Sequence, residues 1–369
     1  MFLARLHLLQ FKNHQSTEVQ LINGLNAFIG KNGSGKTNVL DAIHYMSMCK
    51  SYLNPIDKQN VMFNQSFFHI NGTWNVDKKE HQVACSYKLG AKKKIKLNKK
   101  EYEKLAEHIG KFPVVFISPY DGDLINEGSE LRRKWMDGII SQVDPIYLNT
   151  LQSYNKVLSQ RNALLKNMAE HRLFDLESIE VWDAQMSKLG NFIHQKRSEF
   201  LDSFIPVFQK FYGQIGIDSE DSNIAYKSQL IGENFTDLLV AHHKKDSYNQ
   251  YSNVGIHKDD LIFTIKEHPI KKFGSQGQQK SFVIALRLAQ FDWLKAQKRT
   301  NPILLLDDIF DKLDSERVQK LVQLVTQDYF GQVILSDTDQ ERMENLLDTL
   351  NVPSKLFEVV QGDVQEISR

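Results

Sequence analysis

Residues 28–40 read FIGKNGSGKTNVL. Within them Gly30, Lys31, Asn32, Gly33, Ser34, Gly35, Lys36 and Thr37 satisfy the pattern G-x-x-x-x-G-K-[ST] at every position. That pattern has a mechanical meaning only between a strand and a helix. Leu25, Ala27, Phe28 and Ile29 supply an apolar strand before it, and Val39, Leu40, Ile43 and Met46 a helical face after it. Glycines at these spacings let backbone N–H groups wrap a phosphate chain. Lys36 is placed to reach the β- and γ-phosphates, and Thr37 to ligate Mg²⁺. The stretch predicts a nucleotide cradle on an α/β sheet.

The acids that such a cradle needs come far downstream. Ile303 to Leu306 form a wholly apolar strand that ends in Asp307 and Asp308. A buried parallel strand delivers its carboxylates at its C-terminal end, where ligands sit in such sheets. Asp307 is expected to hold Mg²⁺ and Asp308 to polarise the attacking water.

Just upstream, FGSQGQQKSFVIALRLAQF (residues 273–291) opens an amphipathic helix with Ser275, Gln276, Gly277, Gln278 and Gln279. Gly277 permits close approach, and Ser275 with the helix N-terminus offers a second anion site. One phosphate chain does not easily occupy both this helix and the Gly30–Thr37 loop of the same chain. A head-to-tail pair solves this, each chain's Ser275 helix covering the nucleotide held by the other. That is the logic of ATP-binding-cassette ATPases.

Composition sets limits around this site. The 369 residues carry 46 basic against 45 acidic side chains, so nucleic-acid binding would have to come from local patches rather than a global field. Cys49 and Cys85, the two cysteines, lack metal-ligand spacing and suggest no disulfide framework. The N-terminus MFLARLHLLQFKNH alternates and reads as a strand, not a signal peptide. No run of about 18 apolar residues is present, so no membrane span and a cytoplasmic location are expected.

The chain falls into three regions. Residues 1–126 read as β-rich with one helix after the phosphate loop, with FFHINGTWNV and HQVACSYKLG as alternating strands punctuated by Asn-Gly, Leu-Gly and Lys-Asn turn signals. Residues 127–245 change to helical period, with Leu151, Leu158 and Leu165 seven apart, and predict a compact helical lobe. Residues 246–369 return to α/β signals, with GQVILSD as a strand and KLFEVVQGDV as strand–turn–strand.

Taken together, FKNH, GKNGSGKTNVLDAIHYM, LSQRNALLK, VGIHKDD, GSQGQQK, ILLLDDIFDKLD and FEVVQGDV resemble the RecF family of bacterial recombination mediators, in order and over nearly the whole chain. The resemblance implies a P-loop, ABC-type (SMC-like) ATPase head, residues 1–126 and 246–369, with an inserted α-helical lobe at 127–245. It also implies a slow DNA-stimulated Mg-ATPase that forms an ATP-dependent homodimer. Its partners would be gapped or single-strand/double-strand junction DNA and RecR, with RecO and RecA downstream. Carried over by position, Gly30 to Thr37 form the phosphate loop, Ser275 to Gln279 the trans-acting signature, and Asp307 and Asp308 the acidic strand. Asp311 to Asp314 form a loop facing the other subunit. Asp308 stands where relatives usually carry Glu. Ser336 to Asp339 (SDTD) stand where transporter ATPases place a switch His, so Asp337 or Thr338 is expected to sense the γ-phosphate. Ser118 to Ile125 occupy the place of a lobe-coupling loop, with no residue assigned. An ATPase subunit of a membrane transporter and a non-catalytic, nucleotide-gated DNA clamp are the alternative readings.

For DNA, Lys92, Lys93, Lys94, Lys96, Lys99 and Lys100 crowd an expected hairpin with Ile95 and Leu97 facing inward. The cluster reads either as a phosphate-binding patch or as a solvated edge that discourages strand pairing. Arg132, Arg133 and Lys134 read as exposed helix surface, and His14, His44 and His257 as structural.

Overall fold

The computed structural model describes residues 1–171, 175–216, 221–309, 317, 320–321, 323–324, 329–349 and 352–367. The Asp311 to Asp314 loop lies outside them. The chain divides into two compact units, Met1–Gly122 with Phe211–Ser219 and Gln276–Arg369, and Asp123–Lys210 with Glu220–Ser275.

The first unit is built on two six-stranded sheets. One is antiparallel, in the order β2-β1-β4-β5-β6-β7. Its strands are β1 (Phe2–Phe11), β2 (His14–Gln20), β4 (Phe67–Val76), β5 (Lys79–Lys88), β6 (Lys94–Leu97) and β7 (Lys100–Glu101). The other has the order β15-β14-β3-β13-β12-β8, from β3 (Leu25–Ile29), β8 (Val114–Ile117), β12 (Ile303–Asp307), β13 (Val333–Asp337), β14 (Ser354–Val360) and β15 (Asp363–Ile367). Only β15 runs antiparallel there. Every residue of β3, β8, β12 and β13 is buried, which explains their mainly apolar sequences, with Asn26 inside β3 and Asp307, Ser336 and Asp337 at the strand ends. Strands of the antiparallel sheet instead alternate, β1 burying Leu6 and Leu8 while Arg5 stays exposed.

Helix α1 (Lys36–Met48) packs against strands of both sheets and is buried nearly all round. One apolar core thus joins Leu6 and Trp74 of the antiparallel sheet to Phe28, Leu305 and Ile334 of the parallel one. The long helix α8 (Gln276–Lys298) packs against β8, and α9 (Gln340–Thr349) against β3.

One expected turn is absent. Asn71-Gly72 lies in the middle of β4, paired to Val83 and Ala84 of β5. A Cβ on Gly72 would stand 2.6 Å from the Met46 sulfur, so the glycine admits α1 rather than bending the chain. The bend falls at Asp77-Lys78 (φ 49° and 65°), a two-residue hairpin without glycine.

The second unit holds short α2 (Asp123–Asn126), then α3 (Ser129–Val143), α4 (Pro145–His171), most of α5 (Leu176–Ile215), α6 (Phe235–Asn249) and α7 (Ile270–Phe273). It also holds a small sheet, β11-β10-β9, of β9 (Ser222–Lys227), β10 (Asp260–Ile265) and β11 (His268–Pro269). Here the boundaries differ from expectation. Strand β9 sits inside the stretch read as helical, and its ladder with β10 draws residues 246–275 into this unit. Two buried arginines tie the helices together. Arg161 meets Asp183 and Asp246, each at 2.6 Å, and Arg197 meets Asp259 at 2.7 Å and Asp137 at 3.0 Å.

Candidate nucleotide-binding site

Strand β3 ends at Ile29 and α1 begins at Lys36, so the loop between them starts on a rigid, wholly buried strand. Gly30, Gly33 and Gly35 take φ of 152°, 79° and 121°, backbone that a side chain would strain. A Cβ on Gly30 would stand 2.4 Å from the Val359 carbonyl, and one on Gly35 2.8 Å from the Asn13 amide. Lys36 turns back over the loop, its Nζ donating to the carbonyls of Gly30 at 2.8 Å and Lys31 at 3.3 Å.

The loop is gripped from outside by residues to which the sequence reading gave no part in the site. Asn13 Nδ2 and the Gly362 N–H both donate to the Ser34 carbonyl at 2.8 Å. Asn13 Oδ1 accepts from Asn38 at 2.7 Å. His14 lies between the carbonyls of Gly35 and Gly362, at 3.1 and 2.7 Å. Its surroundings therefore amount to more than a satisfied core histidine.

Asp307 closes the other side. Thr37 Oγ1 donates to Asp307 Oδ1 at 2.8 Å, and Ser336 Oγ donates to the same oxygen at 2.7 Å. Burial pushes the Asp307 carboxyl above its usual range, with the Asp308 charge adding to it and the two hydroxyls opposing. A buried carboxylate beside a hydroxyl is the donor set that a hard divalent cation such as Mg²⁺ takes. The expected pair Thr37 and Asp307 therefore meets, across α1 and β12. Asp308 follows with φ 43°, its N–H directed at the Ser336 carbonyl (3.3 Å) and hydroxyl (3.2 Å). The strained backbone turns the chain sharply at the acid proposed as base.

Ser336 begins the SDTD stretch and is the residue to which the sequence reading gave no role, although its hydroxyl donates to Asp307. The SDTD stretch drew attention to Asp337 and Thr338, but Asp337 is buried and bound by Arg342 at 2.5 and 3.0 Å. Its charge is paired at the start of α9.

Gly277 and Gln278 open α8, with the Arg317 guanidinium 3.0 Å from where a Gly277 Cβ would sit. Ser275 is the last residue of the second unit. Within the stretch left unassigned, Asp121 is buried. It is held by Arg287 of α8 at 2.6 and 3.2 Å, by the Ser118 N–H at 3.0 Å and by the Tyr52 hydroxyl.

The basic clusters sort themselves. Ile95 is buried and Leu97 half-buried, as expected of the hairpin, while Lys92, Lys94, Lys96, Lys99 and Lys100 are exposed. Lys93 departs from them: its Nζ donates to the Cys49 carbonyl at 2.6 Å and pairs with Asp57 at 3.1 Å. Arg132 and Arg133 are not exposed helix surface. Arg132 pairs with Asp260 at 2.7 Å, and Arg133 donates to the Asp259 carbonyl at 2.6 Å, leaving Lys134 outside.

Residues 2–361 match the family model described as RecF/RecN/SMC N terminal domain. A protein of Phocaeicola vulgatus, called DNA replication and repair protein RecF, is 46% identical over 99% of this chain and 98% of its own. The chain belongs to the RecF family. A Flavobacterium johnsoniae RecF is 47% identical over 97% of this chain and 99% of its own. A solved RecF, described as the recombination mediator protein RecF-ATP in the RecFOR pathway, superposes with TM-score 0.90 at 28% identity. It covers 100% of this chain and 98% of that one. An Smc head bound to part of ScpA shares the fold, with TM-score 0.60 at 14% identity over 100% of this chain and 98% of its own. The chain therefore carries the RecF and SMC ATPase-head fold, and the transporter-subunit alternative loses its footing. Among the described residues no helix is long and apolar enough to cross a membrane.

Proposed function

We propose that this chain is a slow, DNA-stimulated Mg-ATPase of recombinational repair in the cytoplasm. On this reading it dimerises on ATP, binds gapped or junction DNA, and cooperates with RecR and RecO in loading RecA. The observation that carries the enzymatic part is the join of Thr37, Asp307 and Ser336 beside the phosphate loop. The repair context rests on whole-chain relatives that are named for it.

The residues divide the work by their chemistry. Backbone N–H groups of Gly33, Ser34 and Gly35 and the start of α1 bind the phosphates, with Lys31 and Asn32 completing the loop's rim. Lys36 exchanges the carbonyls of Gly30 and Lys31 for phosphate oxygens. Thr37 and Asp307 would hold Mg²⁺, which would supply positive charge to the phosphates. Asp308 orients the attacking water and accepts its proton. Ser275, Gly277 and Gln278 of a second copy close over the nucleotide, so hydrolysis reopens the dimer. The carboxylate of Asp308 is set back about 1.5 Å from that of a Glu, a displacement large enough to slow turnover by orders of magnitude. ATP then acts as a timer for the DNA-bound dimer.

Lys36→Met tests the reading. Removing a charge-assisted donor worth about 2 kcal/mol should weaken nucleotide binding roughly 30-fold and abolish ATP-driven dimers in sedimentation with gapped duplex. Equal junction binding by parent and variant, with or without ATP, would sink nucleotide gating. Sustained hydrolysis on gapped DNA separates the enzyme from a non-catalytic clamp, which would bind without turnover.

A further inference from the structure

The phosphate loop is clamped by a histidine whose two ring nitrogens both face oxygens. His14 Nδ1 lies 2.7 Å from the Gly362 carbonyl and 3.1 Å from Thr17 Oγ1. Nε2 lies 3.1 Å from the Gly35 carbonyl. Thr17 Oγ1 itself donates to the Gly362 carbonyl at 2.8 Å, so its proton is already used. A neutral imidazole has one N–H, and one of its nitrogens must then point a lone pair at a carbonyl oxygen. Only the imidazolium satisfies both sides.

What the ring holds is the peptide that begins α1. A trans peptide sets C=O and N–H on opposite sides, so fixing the Gly35 carbonyl aims the Lys36 N–H away from His14 and into the loop. The Gly35 carbonyl also accepts from Asn38 and Val39, at 3.0 and 3.2 Å, which aligns it along the helix. One peptide earlier, Asn13 and Gly362 fix the Ser34 carbonyl in the same way. The two N–H groups aimed inward are ones the proposed function uses for phosphate.

We propose that His14 is a positioning residue for the phosphate loop, and that nucleotide binding there is coupled to uptake of a proton on its imidazole. Without nucleotide, burial lowers the His14 pKa below its usual value and keeps the ring neutral at pH 7. Two charged groups act on it: Asp363 at the start of β15 favours the imidazolium, and Lys12 of the β1–β2 turn opposes it. Lys12 is itself paired with Asp41 of α1 at 2.6 Å, and Lys36 turns its ammonium to the loop carbonyls. A polyphosphate on the loop adds negative charge on the far side of the Gly35 peptide and draws the proton in. The Gly35 carbonyl then gains a charge-assisted donor and the loop stiffens in its binding form. By linkage, nucleotide affinity rises as pH falls.

The proposal rests on the nucleotide reading of the loop, and calorimetry of Mg·ADP binding between pH 6 and pH 8, in buffers of different ionisation heat, tests the two separately. A coupling of about one pK unit gives net proton uptake on binding at pH 6 and an affinity at pH 6 above that at pH 8 by up to about tenfold. Both should vanish in His14→Gln and in His14→Phe, once the free nucleotide's own ionisation is subtracted. Uptake by the parent no larger than that ionisation overturns the proposal without any variant. Equal uptake in the parent and either variant overturns it too. Parent that binds no nucleotide removes the nucleotide reading along with it, whereas binding without proton linkage removes the His14 role alone.

Discussion

Asp307 and Asp308 are adjacent carboxylates with opposite demands on their surroundings. Asp307 is buried, and its carboxyl is raised by burial while hydroxyls of Ser336 and Thr37 donate to it. A carboxyl raised in the folded chain binds more protons folded than unfolded, so its stability contribution falls as pH rises through that window. Asp307→Asn keeps an oxygen for both hydroxyls and removes the charge. The unliganded protein should therefore melt a few degrees higher, by calorimetry, while Mg-dependent nucleotide binding weakens. Asp308→Asn should leave binding intact, cut hydrolysis and prolong the dimer on gapped DNA after free ATP is removed. If Asp308→Asn dissociates as fast as the parent with undiminished hydrolysis, the base lies elsewhere.

At the scale of elements, the β6–β7 hairpin and α8 carry separable predictions. Lys96 and Lys99 are exposed, whereas Lys93 is anchored to Cys49 and Asp57. If the hairpin neutralises DNA phosphates, Lys96→Ala with Lys99→Ala should lower the slope of log affinity against log salt by about 2, without loss of stability. Lys93→Ala should leave that slope alone and cost about 1–2 kcal/mol in urea unfolding. An unchanged slope in the double variant would make the hairpin a charged sheet edge and nothing more. Helix α8 follows directly on Ser275 and is anchored to Asp121 through Arg287. Ser275→Arg should preserve the fold and nucleotide binding to the monomer but abolish ATP-driven dimers. Normal dimers in sedimentation would refute a trans-acting Ser275.

For the whole molecule, buried histidines set the acid limit. Burial lowers His44, His108 and His257 to about 4 from 6.5, against backbone carbonyls of Lys50, Met46 and Ser252 that pull the other way. A histidine lowered in the folded state binds more protons unfolded, so stability is full above pH 6.5 and falls as pH drops towards 4. These three sites lie in both units, His44 and His108 in the first and His257 in the second. Urea midpoints should therefore fall steadily from pH 7 to pH 4.5, and a flat profile would mean the rings are charged or solvated in the native state.

The phosphate loop, the acidic strand and the helix after Ser275 were legible because each is local. Glycines at fixed spacing, four aliphatics before two acids, and a helical period all leave their mark within a dozen residues. Strands β4, β5, β12, β13, β14 and β15 were legible for the same reason, since burial on one face or two writes alternation or an unbroken apolar run. Asn71-Gly72 misled because its glycine answers to Met46, distant in sequence, and not to a turn. Strand β9 was missed because short strands between helices declare themselves only through a partner, here β10. Ser336, Asn13, His14 and Asp121 act through contacts with residues far along the chain, and no local pattern encodes them. The chain's own order of residues determined which chemistry is present. Tertiary packing decided which hydroxyl touches Asp307, which carbonyls His14 holds and which lysines remain on the surface, because those choices depend on distance in space rather than along the chain.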